Sequence, residues 1–138
     1  MPTAGSVVVV DASVIVAALI DGGEAGTWAE AIVVDHDCIA TQMMPAECAS
    51  ALRQLTAAGV ISNREAGVAV EQLTELRVDL YPFSPLISRV WELRDTVTCY
   101  DAWYVALAEQ GGYPLATLDA RLARASGTRC ALLTPTQD

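Results

Sequence analysis

No lysine occurs anywhere in the 138-residue chain, so all eight of its positive charges are arginines. Chemistry that needs a lysine nucleophile, a Schiff base or a compact ammonium gripping phosphate is therefore excluded. Histidine is nearly absent as well, with His36 alone inside the polar run Asp35-His36-Asp37. The four cysteines, Cys38, Cys48, Cys99 and Cys130, form no Cys-x-x-Cys pair. That spacing argues against a zinc site and marks no secreted disulfide framework, so the thiols read as small reduced hydrophobes in a cytoplasmic protein. Positive charge of any kind is scarce: the net charge is −9, which excludes a broad polyanion-binding face and requires any nucleic-acid contact to be local. No membrane segment is expected. The apolar run from Val7 to Ile20 lacks a basic leader and is broken by Asp11, so it reads as core rather than as a signal peptide.

What is present is a core. A hydrophobic content of 53% in 138 residues fits one well-buried domain spanning 1–138, with its core at about 7–133. Val7–Val10 is a β-branched run without polar alternation, as in a central strand covered on both faces. It stops at Asp11, where Asp11-Ala12-Ser13 opens a helical apolar run to Leu19. After Gly22-Gly23, Ala25–Val34 reads as an amphipathic helix with Trp28, Ile32 and Val33 on or near one face. Cys38–Thr41 reads as a second strand, followed by a helix with Pro45 at its first position, Glu47 in its first turn and an apolar face of Ala49, Leu52 and Leu55.

Ser62-Asn63-Arg64-Glu65 has the form of a capping box for a helix carrying Ala66, Ala69, Val70, Leu73 and Leu76. Val78–Tyr81 alternates like a strand, and Ser84-Pro85 is expected to cap a helix through Val90, Trp91 and Leu93, a candidate for packing or self-association. Thr98 and Asp101 form another capping-box pattern, and the helix they start is apolar nearly all round until Gly111-Gly112 ends it. Such a helix is buried, and too short to cross a bilayer. Leu115–Thr117 reads as a short strand leading to Asp119 and a helical turn at Ala120–Arg124. Arg129–Leu133 closes the sheet, and the polar tail Thr134–Asp138 is expected to fray.

The fold class expected is therefore α/β, with a central, mostly parallel sheet of about four to five strands flanked by helices. Asp11, Glu47, Asp101 and Asp119 each fall at a strand exit or in a first helical turn. Each has an ordinary reading as a helix cap or dipole partner. In a parallel sheet those ends share one side, and four carboxylates meeting there would repel one another. A divalent cation would resolve the conflict, and oxygen-only ligands point to Mg²⁺ or Mn²⁺ and to phosphodiester hydrolysis.

The ordered set Asp11-Ala12-Ser13, Glu47 behind Pro45, Thr98-Cys99-Tyr100-Asp101-Ala102 running into Ala106-Leu107-Ala108-Glu109, and Thr117-Leu118-Asp119 resembles a PIN-domain nuclease, with VapC-type toxins nearest. The resemblance covers Val7 to Leu133. It implies a Mg²⁺-dependent endoribonuclease, a homodimer held inactive by a VapB-like antitoxin, with tRNA or rRNA as substrate. It assigns Asp11, Asp101 and Asp119 to the metal, Glu47 to the metal or to orienting the attacking water, and Ser13, Thr117 and Thr98 to support. Arg121 follows the last acid, where it could meet a phosphate. Several relatives carry a further acid or amide shortly after the fourth acid, whereas Ala120, Arg121 and Leu122 stand here, a departure that weakens the case for a second metal site and leaves one or two ions open. Rival readings fail on particular residues: a receiver domain needs a lysine, and a HAD-type phosphatase needs an acid where Ser13 stands. A non-catalytic scaffold or decayed nuclease that binds only a partner remains the alternative.

Overall fold

The computed structural model describes residues 6–135; of the tail, Thr136–Asp138 lie outside the described residues. Five strands, β1 (Val7–Val10), β2 (Asp37–Thr41), β3 (Val78–Tyr81), β4 (Leu115–Ala116) and β5 (Leu132–Leu133), form one sheet in the order β3-β2-β1-β4-β5. Every pairing is parallel. The helices are α1 (Ala12–Ile20), α2 (Glu24–Asp35), α3 (Met44–Ala57), α4 (Asn63–Glu75), α5 (Ile87–Glu92), α6 (Cys99–Gly111) and α7 (Ala120–Ala123).

The strand order explains where a ligand would bind. From β1 the chain builds outward through β2 to β3, then returns to the other side of β1 with β4 and β5. The direction of winding reverses between β1 and β4, and the crevice beyond the carboxyl ends of strands at such a reversal is the usual binding place in open α/β sheets. Val8, Val9 and Val10 are fully buried, as an unalternating β-branched run in a central parallel strand requires. The edge strand β3 is largely exposed, which is why it alone alternates.

Helix α6 behaves as its composition dictates: Ala102 through Ala108 are all buried, and Gly112 ends the helix in the left-handed conformation at φ 70°. The capping box of α4 is complete, with Glu65 N donating to Ser62 Oγ and Ser62 N donating to Glu65 Oε1, both at 3.0 Å. Among the described residues no helix is long and apolar enough to cross a membrane.

Several boundaries differ from the sequence expectation. The segment from Ser84 to Leu93 is not one helix capped by Ser84: a 3₁₀ turn, Ser84–Leu86, precedes α5 and no side chain caps either. Trp91 is consequently turned outward and 61% exposed. Pro45 occupies the second helical position after Met44, and the buried face of α3 is Met44, Cys48 and Leu52, with Ala49 exposed. Val70 on α4 is likewise exposed, because α4 buries only Ala69, in a small cluster with Leu52 and Ile61. The last two strands are two residues each, shorter than Leu115–Thr117 and Arg129–Leu133. Thr117 still donates its backbone N–H to Leu133 O at 3.1 Å, so the ladder ends at that residue. The thiols are free, Cys38 and Cys48 buried as expected but Cys99 exposed.

Candidate acid site

Asp11 is the best-defined member of the site. It follows β1, caps α1 by accepting Val14 N at 3.3 Å, and is 5% exposed. Two hydroxyls hold it: Ser13 Oγ donates to Oδ1 at 2.5 Å, and Thr117 Oγ1 donates to Oδ2. Both hydroxyls also accept from the backbone that leaves β4, Ser13 Oγ from Leu118 N and Thr117 Oγ1 from Asp119 N, each at 2.9 Å. Asp11 is thus bolted across the reversal point of the sheet, and the same bolts fix the approach of Asp119. Burial raises the Asp11 carboxyl above the ordinary aspartate value, the bonds from Ser13, Thr117 and Val14 oppose this, and the charge of Asp101 adds to it.

Asp119 caps α7, its Oδ1 accepting from Arg121 N at 2.9 Å and Leu122 N at 3.4 Å. Asp101 lies in the first turn of α6, where its N–H donates to Thr98 Oγ1 at 3.1 Å. Only that half of the expected capping box forms among the described residues, which leaves the Asp101 carboxylate outside the cap. Its pKa is raised by burial and then by the charge of Asp119, with Thr98 and Arg121 pulling it back. Glu47, in the first turn of α3, has its pKa raised by burial and by the charges of Asp101 and Asp11, and is restrained by one hydrogen bond. The donor is Tyr104, whose hydroxyl lies 2.7 Å from Glu47 Oε1.

Tyr104 was not among the residues singled out from the sequence. It is 1% exposed on an almost wholly apolar helix. A buried tyrosine hydroxyl must find a partner, and Tyr104 stands three residues beyond Asp101 on the same helical face. That was the available signal.

Asp101 is the electrostatic centre of this arrangement, since its charge acts on Asp11 and Glu47 while Asp119 acts on it. The four acids share one region but not one tight shell: among the described residues, no group of three or more His, Cys, Asp or Glu side chains is placed to enclose a metal ion. Cys48 sits beside Glu47, yet burial, with Glu47 and Asp11 nearby, pushes its thiol up to about 12, so it stays a protonated hydrophobe. His36 is turned to its own helix, with Nδ1 3.0 Å from Ile32 O.

A cavity of about 350 Å³ runs from Asp101 and Asp119 past Arg121 to Arg94. Arg121 therefore does share a surface with two of the acids. A second groove, of about 740 Å³ and mainly apolar, lies between α1, α3 and α4 and reaches Ser13 and Glu47.

A family model described as the PIN domain matches residues 8–127. Ribonuclease VapC1 of Mycobacterium tuberculosis is 40% identical over 123 residues, covering 88% of this chain and 92% of that protein. Ribonuclease VapC9 of the same species is 36% identical over 125 residues, covering 89% and 94%. Among solved structures, Mycobacterium tuberculosis VapC20, described as a Sarcin-Ricin loop cleaving toxin, superposes with a TM-score of 0.66 at 15% identity, covering 88% of this chain and 96% of that one. VapBC2 from Rickettsia felis, bound to a DNA fragment from its promoter, gives a TM-score of 0.64 at 12% identity, covering 93% and 98%. At those identities the structural likeness concerns the fold alone.

Proposed function

Because the chain belongs to the PIN-domain family and to its VapC ribonucleases, we propose that it is a divalent-metal-dependent endoribonuclease, the toxin of a toxin–antitoxin pair, acting at the arc of Asp11, Glu47, Asp101 and Asp119. The observation that carries this reading is the accumulation of like charge. Three of these acids are raised by burial and by one another, and no ion pair among the described residues relieves them. Carboxylates held apart at some cost suit a cation.

The donor chemistry fits Mg²⁺, with Mn²⁺ as the substitute: the donors are oxygens, and an arc wider than one tight shell suits an ion that keeps several waters and takes few carboxylates directly. Asp11, Asp101 and Asp119 would hold it. When bound, such an ion neutralises phosphate charge and makes water a competent nucleophile at neutral pH. The remaining work falls to the chain. Ser13 and Thr117 favour the ionised form of Asp11 against the effect of burial and fix its direction. Glu47, held by Tyr104, is placed to accept a proton from the attacking water, and its raised pKa moves it toward the pH at which a general base works well. The substrate is RNA, of the tRNA or rRNA class.

Control follows from the same electrostatics. The protein acts as a homodimer shut by a VapB-like antitoxin, whose apolar segment lies in the groove between α1, α3 and α4 and whose arginine or lysine reaches the acids next to Glu47. A structural neighbour, VapBC-5 from Mycobacterium tuberculosis, is described as a member of the VapBC family of toxin-antitoxin systems, which supports such a partner.

The test is incubation of purified protein with total RNA in Mg²⁺ and in chelator, alongside Asp101→Asn. Discrete cleavage products with Mg²⁺ only, and none from Asp101→Asn, are expected. Intact RNA under all conditions would overturn the nuclease reading and leave a partner-binding scaffold.

A further inference from the structure

A protein of net charge −9 that works on a polyanion must bind it with very few cations. Arg89 is already committed: its guanidinium holds both carboxylate oxygens of Glu109, at 2.7 and 3.1 Å, and also Glu92 and the Gly127 carbonyl. Arg94 and Arg121 are different. Neither takes part in an ion pair among the described residues, and both line the cavity that contains Asp101 and Asp119, together with Asp95.

Arg94 is also pre-positioned. Its guanidinium carbon lies 4.5 Å from the centroid of the Trp91 ring, and its Nη1 donates to Trp91 O at 2.8 Å. Trp91 itself is 61% exposed, on a short helix that buries Val90, is followed by buried Leu93, and is clasped to α6 by Arg89. A large apolar ring is thus displayed to solvent with a guanidinium stacked over one face, and that guanidinium also lines the cavity of Asp101 and Asp119. Exposed aromatic faces next to arginine are how single-stranded nucleic acids are held without reading sequence, by base stacking and phosphate contact.

We propose that Trp91 and Arg94, with Arg121 across the cavity, form a subsite for single-stranded RNA beside the acid arc: Trp91 stacks an unpaired base, and the two arginines hold phosphates flanking the bond to be cut. This rests on the ribonuclease reading and adds to it the side chains that grip the strand outside the acid arc. It also explains how so acidic a protein can hold RNA, since the cations that matter stand where the strand must pass.

The experiment measures binding, in chelator so that no cleavage occurs, of a fluorescent single-stranded RNA oligonucleotide and of the same oligonucleotide made abasic. Wild type, Trp91→Ala, Trp91→Phe and Arg94→Gln are compared, with melting curves and size-exclusion profiles to control fold and oligomeric state. Trp91→Ala is expected to weaken the intact RNA by about five- to a hundredfold and the abasic strand hardly at all, with Trp91→Phe recovering most of the loss. Arg94→Gln should weaken both probes and flatten the slope of log affinity against log salt by about 0.7. Equal affinity of wild type and Trp91→Ala for the intact RNA, or an equal loss on both probes accompanied by a change of oligomeric state, would overturn the subsite and make Trp91 part of a face between copies of the chain. Cleavage of the same RNA by wild type in Mg²⁺ separates this from the broader reading: RNA cut with no Trp91 effect refutes the subsite alone, whereas RNA bound but never cut refutes the nuclease.

Discussion

Replacing Thr117 by valine keeps shape and burial while removing one oxygen, so it isolates what the hydroxyl does. Thr117 is fully buried, donates to Asp11 and accepts Asp119 N at 2.9 Å. Loss of a hydrogen bond to a charged acceptor costs about 1.5–3 kcal/mol, and a backbone N–H left without its partner adds part of a further 1–3 kcal/mol. Because Asp119 N is only partly buried, about 2–4 kcal/mol is expected in all. In a chain of this size that is roughly 7–15 °C in melting temperature. The sign of the pH dependence is the sharper test. The Thr117 bond favours ionised Asp11, whose folded pKa is already raised by burial, so removing it raises that pKa further. A carboxyl with a raised folded pKa destabilises the fold as pH rises through the interval above its ordinary value, and a larger rise destabilises it more. The gap between wild type and Thr117→Val should therefore widen as pH rises above the ordinary aspartate value, on top of a pH-independent loss from Asp119 N, measured by urea unfolding in chelator. A loss below about 1 kcal/mol at pH 8, or one that shrinks as pH rises, would refute the account of Asp11 as an ion held by hydroxyls.

Three further outcomes are expected. Tyr104→Phe leaves Glu47 without its one donor, so the Glu47 pKa should rise further and the acid limb of the pH–rate profile move upward, with kcat falling while the melting temperature drops only a few degrees. Mg²⁺ at about 100 times its dissociation constant contributes about 2.7 kcal/mol and should raise the melting temperature at matched ionic strength. Asp101→Asn should be no less stable than wild type in chelator and should respond far less to the ion. For Arg89→Met, burial alone would raise Glu109, but the hydrogen bonds from Arg89 and Arg129 N outweigh it and hold the carboxyl below its ordinary value. Glu109 thus contributes stability above the ordinary carboxylate pKa that is lost as pH falls through the lowered one. Losing Arg89 should cost about 2–4 kcal/mol at neutral pH, with the deficit narrowing in acid unfolding series.

The positions of the acids were legible because each is announced by a local change of period. An unalternating valine run that stops at Asp11, a proline just inside a helix before Glu47, a Thr-x-x-Asp before an apolar helix and a short strand before Asp119 all depend on neighbours in the chain. The carboxyl-end placement then follows from parallel pairing alone. What the sequence withheld depends on pairs distant in the chain. Ser13 meets Asp11 within one turn, but Thr117, which only the family resemblance singled out, meets it because β4 returns beside β1, and Tyr104 meets Glu47 across 57 positions. The apolar spacing through Trp91 suggested one helix from Ser84-Pro85, whereas the segment breaks into a 3₁₀ turn and a short helix on which the ring is exposed. The width of the acid arc was also hidden, since it depends on how α3 and α6 pack and not on the residues that begin them.

The double use of carboxylates shapes how the site can be dissected. Asp11 and Asp119 each cap a helix, so the fold draws stability from the same groups whose charges repel Asp101, and the gain offsets part of the repulsion. Glu47 and Asp101 sit inside their first turns and cap nothing among the described residues, so they bring repulsion eased only by the helix dipole and, for Glu47, by Tyr104. Alanine at Asp119 removes a cap worth about 1 kcal/mol together with the charge, whereas asparagine keeps the cap and removes only the charge. The two substitutions at Asp119 should therefore separate in melting temperature but not in RNA cleavage. At Asp101, where the side chain caps nothing, alanine and asparagine should behave alike in both. Melting and cleavage of these four variants side by side measure that division, and a destabilised Asp101→Ala with intact Asp101→Asn would show Asp101 serving as a cap after all.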